Sequence, residues 1–197
     1  MQPASSYRIR VATLADVPAL RSLIEQSVRE LQKHDYTPAQ IEGALGHALG
    51  LDTQLIEDRT YFVAEPLDPS GTAIQSGVIA GCGGWSYRKT LFGSDQGPSR
   101  ESAFLDPATD AAKIRAIFVH PDHVRRGLGT LILRHCEQEA RLAHFTHYEM
   151  GSTLTGVPLY KLRGYIPCET INVPLPNGAV LPVVRMTKSP QTNSSAE

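Results

Sequence analysis

The sequence has few cysteines, almost no net charge and no long apolar run, and each absence excludes a class of protein. Cys82, Cys136 and Cys168 are odd in number and widely spaced, which argues against a disulfide framework and favours reduced thiols. A formal net charge of -1 provides no basic field for nucleic acid. No run approaches membrane-spanning length, and residues 1–12 lack the apolar core of a signal peptide. We therefore expect a cytoplasmic protein that binds neither nucleic acid nor a membrane.

The apolar content is sufficient for one hydrophobic core. A chain of 197 residues with 41% hydrophobic residues favours a single domain. We expect this domain to span residues 7–187. The end segments 1–6 and 188–197 are short and polar, and we predict that they are disordered.

The most informative stretch lies between residues 116 and 130. An apolar run ends at Pro121, a short basic turn follows, and Gly127 and Gly129 open a helical pattern. This order predicts a strand, a tight loop and a helix N-terminus. The unpaired N–H groups and the dipole of a helix N-terminus favour a bound anion, and Arg125 and Arg126 add donors suited to phosphate. The stretch therefore predicts a diphosphate-binding turn.

Two common phosphate-binding loops do not fit this turn. Ile132 stands where a dinucleotide fingerprint needs its third glycine, and the chain contains no Gly-x-x-x-x-Gly-Lys-Ser/Thr run. The loop Val124-Arg125-Arg126-Gly127-Leu128-Gly129 instead resembles motif A of the GNAT-family N-acetyltransferases, Gln/Arg-x-x-Gly-x-Gly/Ala. Val124 departs from that motif, since it replaces Gln or Arg.

The resemblance implies that acetyl-CoA is the cosubstrate. In the family the loop amides hold the pyrophosphate, and the preceding strand hydrogen-bonds the pantetheine arm. We expect no metal, because His120-x-x-His123 and His144-x-x-His147 lack a clear third ligand. The cofactor-binding residues implied in this stretch are Ile117, Phe118, Val119, Val124, Arg125, Arg126, Gly127, Leu128, Gly129 and Thr130.

A second segment, residues 153–165, resembles the family's late motif Asn-x-x-Ala-x-x-Leu-Tyr-x-x-x-Gly-Phe/Tyr. The resemblance places the family's catalytic tyrosine, which protonates the departing CoA thiolate, at Tyr160. A tyrosine hydroxyl suits this step as a general acid or hydrogen-bond donor. Thr153 replaces the motif's Asn, and we expect Thr153 and Tyr160 to contact the cofactor as well.

The remaining patterns predict the strands and helices of an α/β protein. Alternating apolar residues predict strands, and apolar residues at helical spacing after Thr13 predict a first helix. Thr37-Pro38 is typical of the start of a second helix, and Asn177-Gly178 between two alternating runs predicts a hairpin. A further strand is predicted over residues 77–86. Together with the resemblance, these elements imply the GNAT fold: a central mixed, mostly antiparallel, twisted sheet of about seven strands flanked by about four helices.

The resemblance also suggests where the acceptor binds. In the family the two-helix region and its connecting loop cover the acceptor site, and the strand predicted here over residues 77–86 faces the acceptor pocket. Tyr36, Trp85 and Arg88 are therefore candidate substrate-binding residues. Each also fits a structural role: Tyr36 in a solvated loop, Trp85 in the core and Arg88 as a surface cation.

The expected reaction is direct acetyl transfer from acetyl-CoA to the primary amine of a small molecule in a ternary complex. A base must deprotonate the amine, and Glu149 and His120 are the candidates. A backbone N–H near Val119 is expected to stabilise the oxyanion. Three alternatives stay open: acetylation of a protein N-terminus, acetylation of a lysine, and a non-catalytic CoA-binding regulatory module. A homodimer also remains open.

Overall fold

A computed structural model describes residues 6–68, 70–74, 77–97 and 101–190. Its single sheet has seven strands in the spatial order β1-β2-β3-β4-β5-β7-β6. The β4–β5 pair is parallel and the other neighbours are antiparallel, as predicted. The strands are β1 Tyr7–Val11, β2 Tyr61–Pro66, β3 Gly81–Ser86, β4 Ala112–Val119, β5 Tyr148–Thr153, β6 Ile166–Pro174 and β7 Val180–Lys188.

Five α-helices occur in the described ranges, which agrees with the expectation of about four. They are α1 Val17–Leu31, α2 Pro38–Ala44, α3 Thr53–Glu57, α4 Leu128–Leu142 and α5 Val157–Lys161. A capping box precedes each of the first two α-helices: Asp16 accepts from the Thr13 amide, and Gln40 accepts from the Thr37 amide. The short 3-10 turns Leu14–Asp16, Pro121–His123 and Leu154–Gly156 precede α1, the α4 loop and α5.

The helices pack on both faces of the sheet. Alternating residues of β2 show the division, since Tyr61 and Val63 join the core under α1 while Phe62 and Ala64 join the core under α4. The first core holds α1 residues such as Leu20 and Ile24, and the second holds α4 residues. The result is a three-layer arrangement with the sheet in the middle.

Strands β4 and β5 separate almost at once. Their register contains only Ala112↔Tyr148 and Lys113↔Glu149, after which β5 continues along β7. A bulge lies further along β4, where the register with β3 shifts between Cys82 and Gly84. Ala116 has φ 52 at this bulge, and its carbonyl accepts a hydrogen bond of 3.0 Å from the Tyr61 hydroxyl. The separation of the two strands leaves a wedge-shaped gap in the sheet.

Two sequence-predicted boundaries differ from the structure. The strand predicted from residue 77 begins at Gly81, because Gly77 has φ 83 and belongs to the preceding turn. Lys188, which was expected to begin the disordered tail, is the last residue of β7. The end segments 1–5 and 191–197 lie outside the described residues. The hairpin prediction is confirmed, with Gly178 at φ 81 in the β6–β7 turn.

Candidate functional site

The loop before α4 has the geometry of an anion-binding turn. Arg125 and Gly127 have φ 61 and φ 77, and Gly127 is the residue preceding the first helical turn. Counting from the start of α4, the first amide with a backbone partner is that of Leu131, which donates to the Gly127 carbonyl. The amides of residues 125–130 donate to no described residue, and the Arg125 and Arg126 side chains are exposed. These groups can receive a diphosphate.

Gly129 brings three elements together at this helix end. A Cβ at Gly129 would lie 3.2 Å from Leu159 Cδ2 and 3.8 Å from Val119 Cγ2. The start of α4 therefore packs against both the end of β4 and the helix α5. Because α5 carries Tyr160, this contact places Tyr160 on the side of the sheet that α4 covers.

A cleft occupies the gap where β4 and β5 separate. Its enclosed volume is about 80 Å³. One wall comes from β4 and includes Ile117 and Phe118, and the opposite wall comes from β5 and includes Thr153. Tyr160 lines the same cleft, so three of the sequence-predicted cofactor positions and the predicted acid share one cavity.

Tyr160 is buried, with 9% of its surface exposed. Its ring packs edge-on to Tyr165 at 5.9 Å between centroids, and its hydroxyl makes no hydrogen bond to any described residue. Burial raises the pKa of Tyr160 well above its ordinary value, which keeps the phenol protonated at neutral pH. The hydroxyl is therefore available to a ligand as a donor.

Thr153 lies at the end of β5, where the predicted pantetheine contact was expected. Its hydroxyl oxygen accepts a 3.3 Å hydrogen bond from the Gly156 amide and so caps the turn that leads into α5. Thr153 therefore fixes the direction in which α5 leaves the sheet. Its hydroxyl proton can still be donated into the cleft.

Glu149 lies where β4 and β5 are still paired and is not among the residues lining the cleft. Its carboxylate forms ion pairs with Lys113 and Arg185. Burial alone would raise the pKa of Glu149, but hydrogen bonds and charge from these two partners outweigh burial and lower it. These contacts favour a structural role, in which Glu149 ties β4 and β7 to β5.

His120 follows β4 directly and also lies apart from the cleft lining. Its Nε2 lies 2.9 Å from Gln26 Oε1, and its Nδ1 accepts from the Asp122 amide at 3.2 Å. With Nε2 as the donor, both ring nitrogens of the neutral imidazole are engaged. These contacts favour a role in holding the loop against α1.

The three predicted acceptor contacts also have partners elsewhere. The Tyr36 hydroxyl donates to the Pro182 carbonyl and accepts from the Leu154 amide, both at 2.8 Å. Trp85 packs in the core under α4, near Phe145. None of the three lines the cleft.

Arg88 is the clearest case of a different partner. Its Nε and Nη2 donate to the two carboxylate oxygens of Asp58 at 2.6 and 2.8 Å. The guanidinium also lies 4.7 Å from the centroid of Phe104. Arg88 therefore anchors the segment that follows β3, and its charge is already balanced.

Several cleft residues were not identified from the sequence. Arg115 is 5% exposed, lines the cleft and donates to Asp52 Oδ2 at 2.7 Å and to the Gly93 carbonyl at 2.8 Å. Gln32 and Phe92 line it too. An arginine inside the apolar run of β4 was a visible signal for Arg115, whereas nothing local marks Gln32 or Phe92.

The geometry agrees with comparisons to known proteins. The model of the Acetyltransferase (GNAT) family matches residues 26–165. This is most of the chain, which therefore belongs to the GNAT acetyltransferase family, and its mixed seven-stranded sheet with flanking helices is the GNAT fold. No curated protein matches the sequence.

Solved structures share the fold at low sequence identity. A GCN5-related N-acetyltransferase from Rhodopseudomonas palustris has a TM-score of 0.65 and 19% identity over 96% of this chain and 99% of its own. The paia N-acetyltransferase from Thermoplasma acidophilum, solved with coenzyme A, has a TM-score of 0.61 and 11% identity, over 94% of this chain and 99% of its own. The protein yncA from Salmonella typhimurium, solved with its cofactor acetyl-CoA, has a TM-score of 0.59 and 17% identity, over 98% of this chain and 99% of its own.

The described ranges contain neither a membrane-spanning helix nor a cluster of metal ligands. No helix there has both the length and the apolar character needed to cross a membrane. No group of three or more His, Cys, Asp or Glu side chains in those ranges is arranged to hold a metal ion.

Proposed function

We propose that this protein transfers the acetyl group of acetyl-CoA to the primary amine of a small molecule, by direct transfer in a ternary complex. The observation that carries the proposal is the cleft between β4 and β5, which contains Tyr160 and has as one wall the strand that leads to the helix end whose amides donate to no described residue. Each end of the cosubstrate thus has a matching group. The diphosphate meets the amides of residues 125–130, and the sulfur meets the tyrosine hydroxyl.

The residues present fit acetyl-CoA. A side chain at Gly129 would crowd Leu159, so glycine keeps the helix end open and close to α5. The positive φ of Gly127 is a left-handed backbone conformation that glycine adopts without strain, and it lets the loop turn into α4. Arg125 and Arg126 supply positive charge beside the diphosphate. Beyond Lys113, the edge of β4 has no register with β5, so its backbone groups can pair with the amides of the pantetheine arm.

The chemistry assigns Tyr160 the role of acid. Attack of the amine on the thioester carbonyl places negative charge first on the carbonyl oxygen and then on sulfur. A backbone N–H of β4 near the bulge at Ala116 stabilises the oxygen, and the buried Tyr160 hydroxyl gives its proton to the leaving thiolate. Direct transfer needs no covalent enzyme intermediate.

The proton of the amine is proposed to leave through water. Among the described residues that line the cleft there is no carboxylate and no histidine, and Arg115 cannot act as a base. The contacts of Glu149 and His120 lie outside the cleft. A water in the cleft can take the proton from the amine, and the Tyr160 oxygen regains a proton through the same water after giving its own to the thiolate.

The cleft is small, with an enclosed volume of about 80 Å³, and this favours a small-molecule acceptor. The loops around Leu49 and Phe92 contribute to the cleft wall where an acceptor would enter. A protein N-terminus or a lysine side chain remains the alternative acceptor. A non-catalytic module would have no need for a buried, unpaired hydroxyl at the sulfur.

The test is turnover of purified protein with acetyl-CoA and a panel of amines, followed as release of free thiol. The panel contains small alkyl, aromatic and amino-acid amines, together with peptides bearing a free N-terminus or a lysine. We expect amine-dependent thiol release with small amines and intersecting double-reciprocal plots, as sequential binding requires. Release with peptides alone would exclude the small-molecule proposal, and parallel plots would exclude the ternary complex.

A further inference from the structure

One polar side chain in the cleft has no use in the machinery described so far. Gln32, which directly follows α1 as its C-cap residue, is 6% exposed and lines the cleft. Its Oε1 is buried and has no hydrogen-bond partner among the described residues. A buried polar group without a partner costs stability, so its presence needs an explanation.

The environment of Gln32 identifies the kind of group that could pair with it. The charge of Arg115, the cationic residue on this wall, is balanced by Asp52 at 2.7 Å. The neighbouring wall residues Leu49, Gly50 and Phe92 carry no charge. The cleft around Gln32 is therefore electrically neutral and presents one amide for hydrogen bonding.

We infer that Gln32 binds the acceptor through a hydrogen bond from the reacting amine to the side-chain carbonyl. Because a half-turn of the amide exchanges its oxygen and nitrogen, the carbonyl can face the cleft. This inference rests on the proposed function and deepens it by naming an acceptor-binding residue. It also gives the acceptor class: a primary amine whose adjoining carbon carries no carboxylate, since the described residues on this wall include no unbalanced cation that would receive one.

Space for the rest of the acceptor lies next to this wall. A second pocket of about 390 Å³ between α1 and the loop after α2 shares Leu49 and Gly50 with the cleft. Arg21, Glu25 and Asp95 line it, so both signs of charge are present. An amine held by Gln32 can extend into this pocket and leave its reacting end in the neutral cleft.

The test replaces Gln32 with Met, which has a similar shape and no hydrogen-bonding amide. Losing the amide removes one hydrogen bond to the acceptor, so we expect kcat/KM for the best amine to fall by about tenfold or more. Acetyl-CoA affinity, measured by calorimetry, should not change. The midpoint of thermal unfolding should stay or rise, because the side-chain oxygen has no partner to lose among the described residues.

The matched control is Gln54→Met on α3, whose amide hydrogen-bonds Glu57 and Asp58 away from the cleft. We expect this variant to keep kcat/KM.

The wild-type enzyme should also prefer an alkyl amine to the same amine with an α-carboxylate. An unchanged kcat/KM in Gln32→Met, or a fall that tracks lost stability or lost acetyl-CoA affinity, would overturn the inference alone. A panel with no turnover by the wild-type protein would overturn the proposed function and this inference with it.

Discussion

Replacing Tyr160 with Phe tests the proposed acid and removes a single oxygen atom. The hydroxyl makes no hydrogen bond to any described residue, and the ring stays packed against Tyr165 in the variant. We therefore expect no loss of folding stability. Acetyl-CoA affinity should also change little, because the loop amides that hold the diphosphate lie elsewhere, at residues 125–130.

The expected loss appears in turnover. A phenol and an alkyl thiol differ by about 1.5 units in ordinary pKa. Burial raises the pKa of Tyr160, and the same environment raises the pKa of the leaving thiol, so the proton transfer stays nearly balanced. A positioned acid of this kind contributes about 10²–10⁴ in rate, so kcat should fall by at least ~100-fold, or ~2.7 kcal/mol.

The assay is thiol release at saturating acetyl-CoA and amine, with affinity and thermal unfolding measured on the same samples. Tyr165→Phe is the matched control, because its hydroxyl donates to Glu137 at 2.9 Å and Tyr165 does not line the cleft. That variant should lose stability and keep its kcat. Tyr160→Phe with wild-type kcat, or with a loss explained by weaker acetyl-CoA binding, would refute the role of Tyr160 as acid.

Three further predictions concern the loop and the two candidate bases. Gly127→Glu should abolish acetyl-CoA binding in calorimetry, because a carboxylate then faces the diphosphate. The control is Gly71→Glu, which has a similar φ of 82 and no atom within 4 Å of an added Cβ; it introduces the same backbone strain and should bind acetyl-CoA normally. Glu149→Gln should lower the free energy of unfolding by about 2 kcal/mol at neutral pH while kcat persists, since Lys113 and Arg185 lose their partner. Because the pKa of Glu149 is lowered in the fold, its contribution is present above its unfolded pKa and is lost as the pH falls through the folded value. Acid-unfolding curves of wild type and Glu149→Gln should therefore converge at low pH, and a parallel offset would contradict this. His120→Ala should leave the pH profile of kcat unchanged, and loss of the acidic limb, in which a general base becomes protonated, would make His120 the base.

The parts of the site that the sequence predicted well are those set by local chain geometry. The strand, the turn at Gly127 and the start of α4 follow from the order of apolar, glycine and helical residues, and the structure has them at those positions. The hairpin around Asn177-Gly178 is also local. In each case the backbone conformation is decided by neighbours in the sequence.

The acceptor side was not predictable in this way, because its residues are set by contacts between distant segments. Arg88 was expected near the substrate, yet Asp58, thirty positions earlier, pairs with it. Arg115 depends likewise on Asp52 from another element. Gln32 faces the cleft only because α1 packs across the sheet. A single sequence carries no local signal for these pairings.

The most direct test of the central claim is a crystal structure of the protein with coenzyme A. We expect the diphosphate oxygens within hydrogen-bond distance of the amides of residues 125–130, and the sulfur in the cleft beside the Tyr160 hydroxyl. A diphosphate bound away from that helix end, or a sulfur out of reach of Tyr160, would contradict the account.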